Sequence, residues 1–361
     1  MVSEGMCNMV RHMFAGALSP VGFIDFFDSI LPPERAKARY YIKGSSGSGK
    51  STFMKRVAAD LEAAGFDVEM FHCSNDPASL DAVACAELGL CVMDATAPHS
   101  RDPFLPGGVD RIIDFAQFLD VEKVAARKHV LAELAQEKKL QNARAAGCFA
   151  ALGCVVASEE AFFEAGLKRA ELEALLGKWT ERVAAGTAAG REGSDRKLFV
   201  SAVTPEGPVS FAGRCFAGNT VHGIVSEFGA GTAELLARLQ LAANARGLDT
   251  ESFRNPAAPD RHECLRVSDT VFVRLDGLID HGLQPDSVID MRSCIGLPAR
   301  IRTQPNLPAM QGMVRETSAQ MSASKAVHAE IEAIYAEAMD FKKLDALYAE
   351  IFPLQFARKG I

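Results

Sequence analysis

The sequence holds no C-x-x-C pair. Its nine cysteines are scattered and odd in number. That pattern excludes a disulfide scaffold or a structural zinc site and reads as reduced thiols. The closest pairs, Cys85 with Cys91 and Cys148 with Cys154, read as core packing. No uninterrupted apolar run of about 18 residues occurs, so no membrane-spanning helix is expected. The first residues, MVSEGMCNMVRHMFAGAL, lack the basic start and clean apolar core of a signal peptide. Basic residues are not in excess either: 39 Lys and Arg face 46 Asp and Glu, a formal net charge of −7. That balance argues against wholesale nucleic-acid binding, while leaving room for a local basic groove. The expectation is a cytoplasmic protein with no membrane partner.

What is present is an internal repeat. RHMFAGALSPVGFIDF (11–26) aligns with RKLFVSAVTPEGPVSF (196–211), matching Arg11/Arg196, Phe14/Phe199, Ala17/Ala202, Pro20/Pro205, Gly22/Gly207 and Phe26/Phe211. At an offset of 182, Tyr40 to His99 aligns without a gap against His222 to His281, with twelve of 60 positions identical. The 361 residues are long enough for two domains. The expected organisation is therefore two tandem copies of one αβ unit, 1–193 and 194–361, joined through the polar segment GTAAGREGSD (186–195). Each copy ends in helical sequence, with apolar residues three and four apart. Residues 120–157 and 158–186 read as a long helical hairpin, and Thr317 to Tyr348 as a shorter pair.

GSSGSGKST (44–52) carries the chemistry. A G-x-x-x-x-G-K-[ST] pattern has meaning only between a strand and a helix. RYYIKG (39–44) reads as the strand, and FMKRVAADLEAAG (53–65) as the helix, with Phe53, Val57 and Leu61 on one face and Gly65 as its stop. In that context Gly44, Ser45, Ser46, Gly47, Ser48 and Gly49 form a loop whose backbone N–H groups face a phosphate. Lys50 would bridge the β- and γ-phosphate oxygens of ATP, Ser51 would ligate Mg²⁺, and Thr52 would donate to an α-phosphate. LGLCVMD (88–94) reads as a buried parallel strand that ends in Asp94, a second Mg²⁺-shell oxygen at the sheet edge where ligands bind. Ala95 follows, where vigorous ATPases place a glutamate. HCSNDPASLD (72–81) offers His72, Asp76 and Asp81 after the second strand, and one of them could orient water or a substrate hydroxyl. Turn and capping roles compete for each. His99 recurs as His281, each five residues after an aspartate, Asp94 or Asp276; a γ-phosphate contact and a packing role compete for it.

The second copy reads SEFGAGTAE (226–234) at the loop position. Thr232 replaces Lys50 and Ala233 replaces Ser51, while Glu227 and Glu234 add negative charge. That loop has lost both its cation and its metal-ligand hydroxyl.

The glycine loop, RHMFAGALSPVGFIDFFDSI, DVEMFHCSNDPASLD, LCVMDATAPHSRDP and RKLFVSAVTPEG together resemble an uncharacterised prokaryotic family of tandem P-loop proteins, labelled ATPases or nucleotide kinases. The resemblance covers most of the chain. It implies a P-loop NTPase fold, an α/β three-layer parallel sheet in tandem units with added helices, and it implies nucleotide binding without an assigned substrate. Thr232 and Ala233 depart from the second intact loop expected of that family. Three functions follow: a slow Mg²⁺-dependent ATPase with a regulatory or structural second half, a small-molecule or nucleotide kinase using Arg101 and Arg111 as lid cations, and a nucleotide-dependent binding module with a protein partner or activator. No LSGGQ-like signature is present, which disfavours an ABC ATPase.

Overall fold

A computed structural model describes residues 9–97, 100–185, 190–275, 278–298 and 306–352. His99 and Asp276, half of the repeated Asp-x4-His pairs, lie outside the described residues. The chain opens with β1 (Val10–Phe14) and the two-stranded β2 (Gly16–Ser19) and β3 (Gly22–Asp25). Then follow β4 (Ala38–Lys43), α1 (Lys50–Ala63), β5 (Val68–Cys73), β6 (Asp76–Cys85), β7 (Leu90–Asp94) and β8 (Asp110–Asp114). Helices α2 (Val121–Ala126), α3 (Lys128–Glu164) and α4 (Arg169–Ala184) complete the first half. The second half begins with β9 (Asp195–Leu198), β10 (Ser201–Thr204), β11 (Gly207–Ser210), α5 (Ala212–Cys215), β12 (Thr220–Val225) and α6 (Thr232–Ala245). It continues with β13 (Thr250–Asn255), β14 (Ala258–Val267), β15 (Thr270–Arg274), β16 (Ser287–Asp290), α7 (Leu307–Ala336) and α8 (Phe341–Ile351).

The chain is mixed α/β with two six-stranded sheets, ordered β1-β5-β6-β7-β4-β8 and β9-β13-β14-β15-β12-β16. The two orders correspond strand for strand, and so do the ladders. β1 and β5 pair in parallel, as do β9 and β13, and the shared Arg11–Glu69 and Arg196–Glu251 ion pairs (2.8 and 3.0 Å) tie those edges. Even the register break after Phe71 recurs after Phe253. The repeat is thus visible in the backbone.

Neither sheet is wholly parallel, contrary to expectation. β6 runs antiparallel to both β5 and β7, and β14 does the same beside β13 and β15. The cause is the connection: only Ser74 and Asn75 separate β5 from β6. Two residues can join antiparallel neighbours, whereas a parallel crossover needs a dozen or more. The stretch 72–81 is therefore a tight turn and the start of a strand, not a loop.

The helical segments differ too. α3 runs unbroken through Ser158 and stops only at Glu164, so the expected break at 157/158 falls inside a helix. α7 begins at Leu307, ahead of the expected Thr317. By internal contacts the chain forms two units that do not divide at 193/194. The first holds residues 1–15, 25–144 and 319–361, the second 16–24 and 145–318. The second unit has thus taken the end of α3 and α4, which follow the first copy, and the first unit the greater part of α7 and α8, which follow the second. In the first, Leu344, Tyr348 and Phe352 from α8 and its end join Phe53, Val57 and Leu61 of α1 over the sheet. Each fully buried side chain of this kind contributes about 1.5–3 kcal/mol. In the second, Leu172, Leu176 and Trp179 of α4 pack with Leu235, Leu236 and Leu239 of α6.

One helix among the described residues, α3, is long and apolar enough to cross a membrane by length and composition, although no such helix was expected. A third of that stretch, 33%, is buried inside the protein. Its buried residues Phe149, Leu152, Val156 and Phe163 recur at helical spacing, and its buried Glu160 pairs with Arg274 at 3.1 Å.

Candidate functional site

β4 delivers the glycine loop at its carboxyl end, and α1 starts on the far side. Gly47 (φ 71°) and Gly49 (φ 89°) both take left-handed conformations that a side chain disfavours, and Gly49 caps α1. Ser48 closes the turn by donating its hydroxyl to the Ser45 carbonyl at 2.7 Å. A Cβ on Gly47 would collide with the backbone carbonyl of Glu332 on α7.

Lys50 curls over this loop. Its Nζ donates to the carbonyls of Gly44 (2.9 Å) and Ser45 (2.8 Å) and lies 3.6 Å from Asp94 Oδ2. The Ser51 hydroxyl accepts the Leu80 N–H at 3.0 Å. Asp94 is oriented by Thr96, whose N–H reaches its Oδ1 at 2.8 Å while the Thr96 hydroxyl donates to Gly44 O at 3.0 Å. Sequence reading missed Thr96, a hydroxyl in a loop with no recognisable spacing.

A cavity of about 720 Å³ opens over the loop, lined within the first unit by residues 46–52, Asp76, Asp81 and Asp94. The structure thus brings Lys50, Ser51, Asp94, Asp76 and Asp81 to one site. The two added acids are already engaged. Asp76 accepts from the Ser79 hydroxyl (2.5 Å) and pairs with Lys325 of α7 (2.8 Å). Burial works to raise its carboxyl, but Lys325 and Ser79 outweigh it and hold the group below its ordinary value. Asp81 is buried beside Cys73, whose thiol is pushed well up by burial and then by the Asp81 charge.

The far wall was not legible at all. Lys138 and Asn142 come from α3, and Ser324, Lys325, His328 and Glu332 from α7. Asn142 accepts from Ser324 at 2.6 Å, and Lys138 Nζ sits 2.7 Å from His328 Nδ1. Burial, then the charges of Lys138 and Lys50, push the His328 pKa down to about 4. Its neutral Nδ1 therefore accepts from Lys138, whose own pKa is lowered by burial. Burial, then Asp76, raise the Glu332 carboxyl against the opposing pull of the Gly47 N–H, Lys138 and Lys50. The expected lid cations lie elsewhere: Arg101 pairs with Asp25 and Asp28, and Arg111 donates to the Tyr40 hydroxyl.

The donor set suits Mg²⁺ without enclosing it. Among the described residues no group of three or more His, Cys, Asp or Glu could hold a metal. Ser51 Oγ and the Asp94 carboxylate are two hard oxygens on one wall, the number Mg²⁺ commonly takes from protein when phosphates and water complete its octahedron.

No protein-family model, curated protein or solved structure matches the chain.

Proposed function

We propose that the protein is a P-loop NTPase that binds Mg²⁺-ATP at residues 44–52 and hydrolyses it slowly, with the second copy structural or regulatory. The observation that supports this most is the convergence of Lys50, Ser51 and Asp94 beside a loop of left-handed glycines at the start of α1. A helix start with free-facing N–H groups and a neighbouring ammonium is an anion site. Ser51 and Asp94 would hold Mg²⁺, which when bound offsets phosphate charge. Lys50 would leave the Gly44 and Ser45 carbonyls for the β- and γ-phosphate oxygens. In this reading the protein works in the cytoplasm, and a partner or ligand accelerates it.

Slow turnover is expected because Ala95 supplies only a methyl group after Asp94 and because Arg101 and Arg111 are engaged away from the loop. Lack of an arginine that neutralises transition-state charge commonly costs about 10³-fold or more. Phosphate release from the purified chain with ATP and Mg²⁺ is expected below about 1 s⁻¹. Faster turnover without any partner contradicts the proposal.

A kinase is the second reading, favoured by the reach of the cavity past the loop to Asn142 and Ser324. Phosphate release measured against a panel of nucleosides and nucleoside monophosphates separates the two. Acceptor phosphorylation, with little free phosphate, supports the kinase.

A further inference from the structure

The loop has no carboxylate in the usual place, yet one reaches it from a distant part of the chain. We propose that Glu332 on α7 is the catalytic carboxylate of this site, aligning and deprotonating the water that attacks the γ-phosphate. The assignment rests on the reading of residues 44–52 as an ATP-hydrolysing loop.

The geometry puts Glu332 on the loop itself. Its backbone carbonyl packs where a Gly47 side chain would stand, and both residues line the same cavity, with the Gly47 N–H drawing on the Glu332 carboxylate. Gly47 belongs to the phosphate cradle, so a group placed there lies beside the reacting end of a triphosphate. The neighbouring turn of α7 faces it. His328 Nε2 lies 3.6 Å from Glu332 Oε1, and His328 Nδ1 is fixed by Lys138 at 2.7 Å. With Nδ1 accepting, the ring proton belongs on Nε2, facing the carboxylate. The packing of α7 on the loop therefore places the acid, and the His328 ring faces it across 3.6 Å.

The other acids of the cavity suit the task less well. Asp94 faces Lys50 and serves the metal edge. Asp76 is held by Lys325 and Ser79, which weakens it as a base. Asp81 is buried against Cys73. Glu332 is the more basic, because burial and the Asp76 charge favour its protonated form. A gatekeeping role at this position predicts the opposite mutant behaviour, because a carboxylate and a phosphate oxygen compete for the same N–H.

In the step proposed, the water oxygen forms a bond to the γ-phosphorus as the bond to the β–γ bridging oxygen breaks. The bonding pair leaves with ADP, and a water proton passes to the Glu332 carboxylate. Nothing is oxidised or reduced.

The test measures ATP affinity and single-turnover hydrolysis for the wild-type chain, Glu332→Gln, Glu332→Ala and, as a control on the exposed side of α7, Glu330→Gln. The expected result is a fall of about 10²-fold or more in the chemical step for both Glu332 variants. Their ATP affinity should stay within a few-fold, and Glu330→Gln should match wild type. Unchanged hydrolysis in Glu332→Gln overturns the assignment. So does faster hydrolysis with tighter binding, which would make Glu332 a blocker of the loop. If wild type hydrolyses ATP while Lys50→Ala does not, either of those failures concerns Glu332 alone. If wild type binds no ATP, the loop reading and the Glu332 assignment fall together.

Discussion

The two glycine loops share a backbone and little else. Gly47 and Gly229 have φ 71° and 75°, Gly49 and Gly231 have φ 89° and 77°, and each second glycine caps the following helix. Around the first loop the space is an open cavity. Around the second it is protein: Thr232 is 1% exposed, with its hydroxyl 3.9 Å from the Met291 sulfur. Below the second glycine the two loops are alike: a Cβ on Gly231 would meet Met291 at 3.0 Å and Leu172 at 3.2 Å, and one on Gly49 would meet Phe341 at 3.2 Å and Leu344 at 3.3 Å. Arg274, bound to Glu160, donates to the Phe228 carbonyl at 3.2 Å and holds that residue at φ 48°. Aromatic residues rarely take that conformation. The two loops differ at the position that follows the second glycine: Lys50 lines a cavity, whereas Thr232 is buried against Met291. The same glycine-loop backbone can therefore border a cavity in one copy and serve as a packing element in the other.

The largest contrast should come from the paired substitutions Lys50→Ala and Thr232→Ala. The first should weaken ATP binding by about 10²-fold or more, through loss of a charge-assisted contact to phosphate. The second should leave affinity unchanged. Calorimetry should give one nucleotide per chain, and a stoichiometry of two would break the asymmetry between the loops.

A smaller effect is expected from restoring the lost residues. Thr232→Lys with Ala233→Ser recreates the motif in letters, but the new ammonium would be buried against Met291. The double variant should lose about 3 kcal/mol of stability in denaturant titration and bind no second nucleotide. Recovery of a second site with unchanged stability would show the cradle to be merely unused.

The smallest contrast lies at one equivalent pair. Leu80, which donates its N–H to Ser51 in the first copy, is replaced in the second by buried His262, bonded to Gln240 at 2.8 Å. Burial, then Arg254 and Lys197, lower the His262 pKa to about 4. The unfolded chain, with an ordinary histidine near 6.5, takes up the proton first as pH falls. The stability contribution is therefore whole above about pH 6.5 and is lost on descending toward 4, at most about 3 kcal/mol. His262→Gln keeps a donor for Gln240 and should flatten that part of the pH–stability curve. An unchanged slope would assign the acid sensitivity to other groups.

Much of the scaffold was legible because it depends on short-range pattern. Arg11 and Glu69 recur as Arg196 and Glu251, and both pairs form the same bridge. The strand before Gly44 and the helix after Gly49 follow from β-branched and aromatic residues and from the four-residue spacing of Phe53, Val57 and Leu61. The antiparallel β6 was missed because its ten residues open with Asp-Pro-Ala-Ser, which reads as a loop until the two-residue turn before it is seen.

By itself the sequence determined the duplicated αβ order, the glycine loop with Lys50 and Ser51, and the loss of those two residues from the second copy. These rest on neighbours in the chain and on steric rules that act locally. Only the tertiary structure decided which helices join which unit, that Thr232 is buried in the second loop, and that Lys138, Lys325, His328 and Glu332 face the first. Those residues lie far from the loop in sequence and carry no spacing of their own. Their place is set by the packing of α3 and α7, a property of the folded chain that no local pattern encodes.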